Sequence, residues 1–154
     1  MGLIHWAGTV ASNVFEGWKR VAKSKQARAK GSRVKGLTWD DVRQLALELP
    51  GVTEGVSYRT SSFKVNGKMI ARFHQDRESL VIKVEYAARE VLMGAKPETF
   101  YITDHYSCWP WMLVRISNID RSELQGLLEE AWRKCASKRA VAAWDQGHEA
   151  RKGS

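Results

Sequence analysis

The stretch VSYRTSSFKVNGKMIARFHQDRESLVIKV, Val56 to Val84, decides the fold. Apolar and polar residues alternate in it over short runs, near 56–60, 61–65, 68–74 and 79–84, separated by Asn66-Gly67 and by the polar run Gln75 to Glu78. Asn-Gly between alternating runs is a strong local signal for a hairpin. The segment therefore reads as a meander of antiparallel strands. Register decides which side chains share a face, because a slip of one residue exchanges the two faces. A strict two-residue Asn66-Gly67 loop pairs Val65 with Lys68 and puts Phe63 on the side of Arg72. A three-residue loop instead groups Phe63, Met69, Ala71 and Phe73, and leaves Ser62, Lys64, Lys68, Arg72 and His74 opposite. This second, self-consistent register is the one expected.

Upstream of the meander, Trp39, Val42, Leu45, Ala46 and Leu49 repeat at helical spacing, with Thr38 and Asp41 in capping positions and Pro50-Gly51 as a stop. Downstream, residues 86–93 read as a short helix ending at Gly94, and strands at 100–103 and 111–116 flank the loop Asp104 to Pro110. A last helix opens with Asp120 and Glu123 in capping-box spacing and carries Leu124, Leu127, Leu128, Ala131, Trp132 and Cys135 to about Arg139. The order predicts an α+β fold: a single antiparallel β-sheet with helices packed on one face, α-β(3-4)-α-β(2)-α. The domain is expected over residues 37–140, after a basic, flexible N-terminal extension (1–36) and before a C-terminal tail (141–154).

A chain of 154 residues, 44% hydrophobic and 27% charged, has room for one domain of ordinary size and excludes a large multidomain enzyme. No apolar run approaches the ~18 to 20 residues of a membrane span, and no secretory h-region opens the chain, so a cytoplasmic protein is expected. Cys108 and Cys135, without CxxC spacing, indicate neither a disulfide framework nor a cysteine zinc site. The formal charge of +8 points to a polyanionic partner only if the folded part carries it. Most of the excess lies in Lys19, Arg20, Lys23, Lys25, Arg28, Lys30, Arg33 and Lys35, opposed only by Glu16 before Leu37. Leu3, Ala7, Val10, Val14, Trp18 and Val21 add a helical stripe there. That stretch reads either as an amphipathic basic arm for nucleic acid or an anionic membrane surface, or as an extension outside the domain. A nucleic-acid argument for the domain must rest on where its charges point.

With Leu80, Ile82, Val84, Met112, Val114 and Ile116 facing the helices, the other face of the sheet holds Lys64, Arg72, Lys83 and Arg115, with His74, Tyr101 and Trp111 among them and no carboxylate. Lys and Arg neutralise phosphates and aromatic faces accept unstacked bases. A solvated sheet face carries the same residue types for solubility alone. The loop holding His105, Tyr106, Cys108, Trp109, Pro110 and Trp111 is the densest cluster of reactive and aromatic residues; it reads as a structural loop whose aromatics pack under the last helix, as hydrogen-bonding and stacking groups for nucleic acid, or as a Cys108–His105 nucleophile and base pair. Lys138 and Arg139, placed in the last turn of the final helix, either complement its dipole or contact phosphate. Arg133 and Lys134 have Glu129 and Glu130 as helical partners. The four histidines lack HxH, HxxxH or HExxH spacing, and GxGxxG, GxxxxGK[ST] and GxSxG are absent, so no metal, nucleotide loop or serine hydrolase is indicated.

LPGVTEGVSYRTSSFKVNGKMIARF (Leu49 to Phe73) and FYITDHYSCWPWMLVRI (Phe100 to Ile116) together resemble the MmcQ/YjbR-like proteins, over about Thr38 to Ala140. The most specific pieces are Leu49-Pro50-Gly51, the Ser57-Tyr58 to Lys68 hairpin, and Thr103, His105, Tyr106, Pro110 and Trp111 before Leu113-Val114-Arg115. The resemblance implies a small bacterial cytosolic domain, a fold similar to the frataxin-like (CyaY-like) or secretion-chaperone-like arrangement, a DNA-binding role described as a double wing, and no established catalytic activity. Arg59 stands where a glycine is common, and Ser61-Ser62 where proline and a small residue are common, which bears on the first turn. A frataxin-like iron site needs an acidic first helix, whereas Asp40, Asp41 and Glu48 are sparse and offset by Arg43. The reading is a non-enzymatic DNA-binding protein without cofactor or metal. Its phosphate contacts are Lys64, Lys68, Arg72, Lys83 and Arg115, with His105, Tyr106 and Trp111 at the edge and Lys138 and Arg139 beside the sheet. The alternative is a protein-binding module that accepts a partner chain as secretion-chaperone-like folds do.

Overall fold

Two short turns of unusual backbone organise the sheet. At Asn66 (φ 53°) and Gly67 (φ 75°) both residues are left-handed, so a two-residue turn joins β2 (Thr60–Val65) to β3 (Lys68–Phe73) and pairs Val65 with Lys68. The register then slips by one within the strands: Lys64 pairs with Met69, but Phe63 pairs with Ala71 and Ser62 with Arg72. Ile70 is the extra residue, and both it and Ala71 are fully buried in the core beneath the helices. The expected grouping of Phe63 with Ala71 and Phe73 is thus reached, but through a bulge and not through a three-residue loop. The bulge moves Met69 to the face away from the helices and Lys68 to the helix side, both opposite to the sequence expectation. The second turn, Tyr58 (φ 53°) and Arg59 (φ 64°), joins β1 (Thr53–Ser57) to β2 with Ser57 opposite Thr60. With no glycine or asparagine to mark it, this turn was expected to lie within a strand at 56–60.

The computed structural model describes residues 36–152, so the helical stripe and basic run before Gly36 lie outside the described residues. Beyond β3 come β4 (Ser79–Lys83), β5 (Phe100–Tyr101) and β6 (Trp111–Arg115), and the six antiparallel strands lie in the order β1-β2-β3-β4-β6-β5. Helix α1 (Trp39–Leu47) is capped by Thr38, whose hydroxyl accepts from the Asp41 amide at 3.2 Å while Asp41 accepts from the Thr38 amide at 2.9 Å. Helix α2 (Tyr86–Ala95) follows β4, and α3 (Arg121–Cys135) is capped by Asp120, which accepts from the Glu123 amide at 2.8 Å. Val42 and Leu45 of α1, Ala88 and Leu92 of α2, and Leu124, Leu128 and Trp132 of α3 join one apolar cluster with Phe63, Ile70, Leu80, Ile82, Met112 and Val114 of the sheet. The fold is therefore α+β, one antiparallel sheet with its helices gathered on one face. Trp132 anchors this layer, being fully buried with its indole N–H donating to the Pro50 carbonyl at 2.8 Å.

The C-terminal segment differs from the expected tail. After α3 ends at Cys135, Ala136 turns extended (ψ 157°), and a new helix α4 (Lys138–Lys152) begins, its Ala140 amide held by the Ser137 hydroxyl at 3.1 Å. Trp144 of α4 packs 5.6 Å from Trp132 and donates to Glu129 at 2.9 Å, and Arg133 bridges Glu129 (2.9 Å) and Asp145 (2.6 Å). These bonds, that to Asp145 first, hold the Arg133 guanidinium above its ordinary pKa and the Asp145 carboxyl below its own. Lys134 turns to Glu85 at 3.2 Å instead of to Glu130.

Helices α2 and α3 are tied by Lys96 and Glu123, a buried pair at 2.9 Å with side chains 6% and 4% exposed. Replacing Lys96 by Met leaves the Glu123 carboxylate in a buried site without its ammonium partner, and removal of one member of such a pair typically costs about 3 kcal/mol or more. Urea unfolding of Lys96→Met at pH 7 should show that loss.

Candidate nucleic-acid interface

The face of the sheet away from the helices is not the open surface that the alternation of residues predicts. Cross-strand pairing sets Arg72, Val81, Leu113 and Tyr101 in one row, Lys83 and Trp111 in a second, and Ser79 and Arg115 in a third. The chain after β5 folds back over the first row. It makes a 3-10 turn at Asp104–Tyr106 and lays Tyr106 on Val81 and Leu113, with Tyr101, Ile102 and Trp111 around them. A second, small apolar core results, and Val81, Leu113 and Tyr106 are nearly or fully buried in it. Arg72 is drawn in with them. Its guanidinium donates to the Tyr106 hydroxyl and to the Phe73 carbonyl, and lies 5.1 Å from the ring centre of Tyr58. Only 7% of Arg72 and 6% of Tyr106 remain exposed, so Arg72 is not free on a solvated face as expected, and Tyr106 lies over the middle of that face, neither at its edge nor under the last helix. The reason is the loop: a phenol reaching over the sheet supplies both cover and an acceptor for the guanidinium.

What fixes that loop is a residue the sequence reading did not single out. Arg89, 4% exposed on α2, points its guanidinium into the loop's interior. Nη1 donates to the carbonyls of Trp109 at 2.7 Å and of Tyr106 and Trp111 at 3.1 Å, and Nη2 donates to that of Ser107 at 3.1 Å. Tyr86, one turn earlier, donates to the Cys108 carbonyl at 2.8 Å and lies 5.0 Å beneath the guanidinium. Four carbonyls of the loop converge on this one cation, those of Tyr106 and Trp109 accepting also from the Trp109 and Trp111 amides at 3.1 and 2.8 Å; the guanidinium has no carboxylate partner among the described residues. An arginine inside an otherwise apolar helical stripe, Ala88 and Leu92 on either side, was the available signal. His105 and Cys108 are exposed on this loop; His105 stacks edge-on to Tyr106 at 4.9 Å, and Cys108 has Ser107 as its nearest polar neighbour at 3.8 Å, so the pair shares no hydrogen bond.

Three of the expected cations do share the outer face. Lys64 is exposed on β2, Lys83 lies 6.0 Å from the ring of Trp111, and Arg115 lies 4.1 Å from that of Tyr101. None has a carboxylate partner among the described residues. The others are elsewhere. Lys68 stands at the hairpin tip on the helix side, where Asn66 donates to the Cys135 carbonyl at 3.4 Å, and Lys138 and Arg139 are exposed in the first turn of α4, not the last turn of α3. At that end the helix dipole disfavours cations, so dipole complementation does not explain them.

One carboxylate borders the face after all. Asp76, in the turn after β3, accepts from the Glu78 amide at 2.8 Å and the Ser79 amide at 3.0 Å, lies 3.0 Å from His74, and receives the Tyr101 hydroxyl at 3.3 Å. Partial burial pushes its carboxyl up, but the Glu78 amide, His74 and the Ser79 amide outweigh that and hold it below the ordinary carboxylate range. Beneath Lys83, a shallow cleft between β4, α2 and α3 is lined by Glu85, Glu130 and Lys134 among apolar side chains, and burial raises the Glu130 carboxyl. Among the described residues no three His, Cys, Asp or Glu side chains converge as metal ligands would, and no helix is long and apolar enough to cross a membrane.

A small α+β domain with a basic, aromatic sheet face and a clasped loop over it is the class these features define. The sequence profile of the YjbR family matches residues 47–134, and the chain belongs to that family. It is 28% identical over 125 residues to uncharacterized proteins of Mycobacterium bovis and Mycobacterium tuberculosis, covering 70% of this chain and 95% of theirs. A crystal structure of a Deinococcus radiodurans protein with a DUF419 domain superposes with a TM-score of 0.55 at 28% identity, over 62% of this chain and 75% of that one. These relatives carry no named activity.

Two expectations test the site's construction. Replacing Arg89 by Met removes the cation from four loop carbonyls, of which those of Tyr106 and Trp109 keep a backbone amide donor. With charge-assisted bonds worth roughly 1.5–3 kcal/mol each, partly recovered by water, the loss of stability should reach about 3 kcal/mol, and amide exchange at Tyr106 and Trp111 should quicken well beyond that of β4. Arg89→Lys should recover little, since an ammonium cannot span the same fork of acceptors. For Glu130, a folded-state pKa raised above the unfolded one favours the fold at low pH, and that advantage is lost as pH rises through the folded pKa. Glu130→Gln should therefore unfold at a higher temperature than the parent at pH 7, the gap closing toward pH 4.

Proposed function

We propose that the protein is a non-enzymatic DNA-binding module that contacts phosphates through the outer face of its sheet. The observation that carries this reading is the set Lys64, Lys83 and Arg115: three cations on one face, without carboxylate partners among the described residues, two of them lying on aromatic rings that hold them out of competing ion pairs. Arg72 and Tyr106 serve in this reading as the support of the face and not as contacts. In this reading His105 and Trp111 border the phosphate path, while Lys68 at the hairpin tip and Lys138 and Arg139 at the start of α4 serve as basic groups off the face. The alternative, a protein-binding module, draws on a different feature: β1 leaves one edge of the sheet unpaired, and four of its five residues are exposed, so an extended partner segment could add there as a further strand.

The two readings part on charge. In the full-length protein, Lys64→Glu, Lys83→Glu and Arg115→Glu together should lower affinity for a labelled oligonucleotide by at least about tenfold at moderate salt and reduce the slope of log K against log salt by about two. Thermal unfolding should stay close to the parent, because all three side chains reach solvent. Unchanged affinity and slope would assign any binding to the basic N-terminal run and remove this face from consideration.

A further inference from the structure

The outer face also has a shape, and the shape narrows the class of nucleic acid; this step rests on the reading just given. Six strands at about 4.8 Å spacing make a surface roughly 25 Å across, whereas the major groove of a duplex is only about 12 Å wide and admits one helix or a two-stranded ribbon. Among the described residues no helix end or two-stranded ribbon bearing the outer-face cations projects from this face: Lys83 and Arg115 lie in the rows on either side of the one that the loop covers, where the strand pairing sets them. A duplex could only touch such a surface along its phosphates.

Tyr58, in the turn between β1 and β2, is 72% exposed and Trp109, in the clasped loop, 59%; Tyr86, 48% exposed, is already engaged by Arg89 and the Cys108 carbonyl. Tyr58 and Trp109 are each held by backbone the fold takes trouble to maintain. Tyr58 and Arg59 are both left-handed without being glycine, an arrangement that costs about 1–2 kcal/mol per residue and that sets the Tyr58 ring against the buried Arg72 guanidinium. Trp109 gives its carbonyl to Arg89 at 2.7 Å, the shortest of the four bonds to that cation, while its indole stays outside. Neither ring fills a core. Exposed aromatics fixed by rigid backbone beside unpaired cations are the parts from which single-strand surfaces are built: bases lie on the rings and phosphates follow the cations.

We propose that the outer face takes single-stranded DNA, with unstacked bases on Tyr58 and Trp109 and the phosphates on Lys64, Lys83 and Arg115. The strands of the face contribute no carboxylate, and Asp76 at its border is already occupied by two amides, His74 and Tyr101, so the strands offer a 2′-hydroxyl no free carboxylate acceptor and the reading commits to DNA.

The test is fluorescence anisotropy of the full-length protein with a labelled oligothymidine, the matching oligouridine, and a blunt duplex of equal length, at several salt concentrations. The expected result is oligothymidine bound at least tenfold more tightly than the duplex and no more weakly than oligouridine. Trp109→Ala and Tyr58→Ala should each lower oligothymidine affinity by about tenfold, while Trp109→Phe and Tyr58→Phe, which keep a ring, retain most of it. The phenylalanine variants guard against a folding defect, since they preserve the backbone turn and the packing against Arg72. If the duplex binds as tightly as the single strand and the Lys64, Lys83 and Arg115 reversals still abolish binding, the face is a DNA site but this inference is overturned. Tighter binding of oligouridine, or alanine variants with parental affinity, overturns it equally. If no nucleic acid responds to the charge reversals, the underlying reading falls with it.

Discussion

The slip of register at Ile70 turns two consecutive residues of β3 toward the helices and, by doing so, sends the next one, Arg72, to the other side of the sheet. Without the extra residue, a two-residue turn at Asn66-Gly67 would carry Arg72 into the layer occupied by Phe63, Leu80 and Trp132, and an unpaired guanidinium there would cost several kcal/mol in desolvation alone. With it, both demands of the sequence are met: the turn that Asn-Gly favours, and the apolar layer that Phe63, Ile70, Ala71 and Phe73 require. The identity of each face follows from that single irregularity.

The second layer depends on the first but is held differently. Beneath the helices, burial of large apolar side chains provides the stabilisation. On the outer face, two arginines provide the organisation: Arg72 gathers Tyr58 and Tyr106, and Arg89 gathers the carbonyls of residues 106–111. Arg89 keeps one buried nitrogen, Nε, without an acceptor, a cost of about 1–3 kcal/mol that its four charge-assisted bonds exceed. The loop is thereby rigid enough to support exposed groups such as His105 and Trp109 without having any regular secondary structure beyond one 3-10 turn.

The fold was readable because its signals are local and redundant. Thr38 with Asp41, Asp120 with Glu123, Pro50-Gly51 and Asn66-Gly67 each mark a boundary chemically, and the alternating strands between them leave few architectures open. The C-terminal helix was missed because its start, Ser137, follows directly on another helix, and residues 138–152 have a weak apolar stripe in which Trp144 is the main packing residue. The candidate site was only partly readable. Lys64, Lys83, Trp111 and Arg115 follow from strand alternation and lie where that alternation puts them. Lys68 and Met69 were assigned to the wrong faces because a bulge inside a strand leaves no mark as plain as Asn-Gly. Arg72, Tyr106 and Arg89 owe their places to contacts across 34 and about 20 residues of chain, which no local pattern encodes.

The pairing of β4 with β6 has a consequence for how the molecule assembles. The strands β1 to β4 are joined by tight turns and can pair as they emerge, but β6 must close on β4 over the whole of α2, β5 and the clasped loop. Closing long segments is the slow part of folding a sheet, since the chain entropy is lost before the contacts are made. Arg72 lies before that closure in sequence and Tyr106 within it, while Lys83 and Trp111 lie at its two ends. Lys64 and Lys83 belong to the meander, but Arg115, with the rings of Tyr101 and Trp111, joins them only when β6 pairs. The face is complete only when the sheet is, so a chain arrested before that step carries Lys64 and Lys83 on a meander without the third cation and the rings that complete the surface.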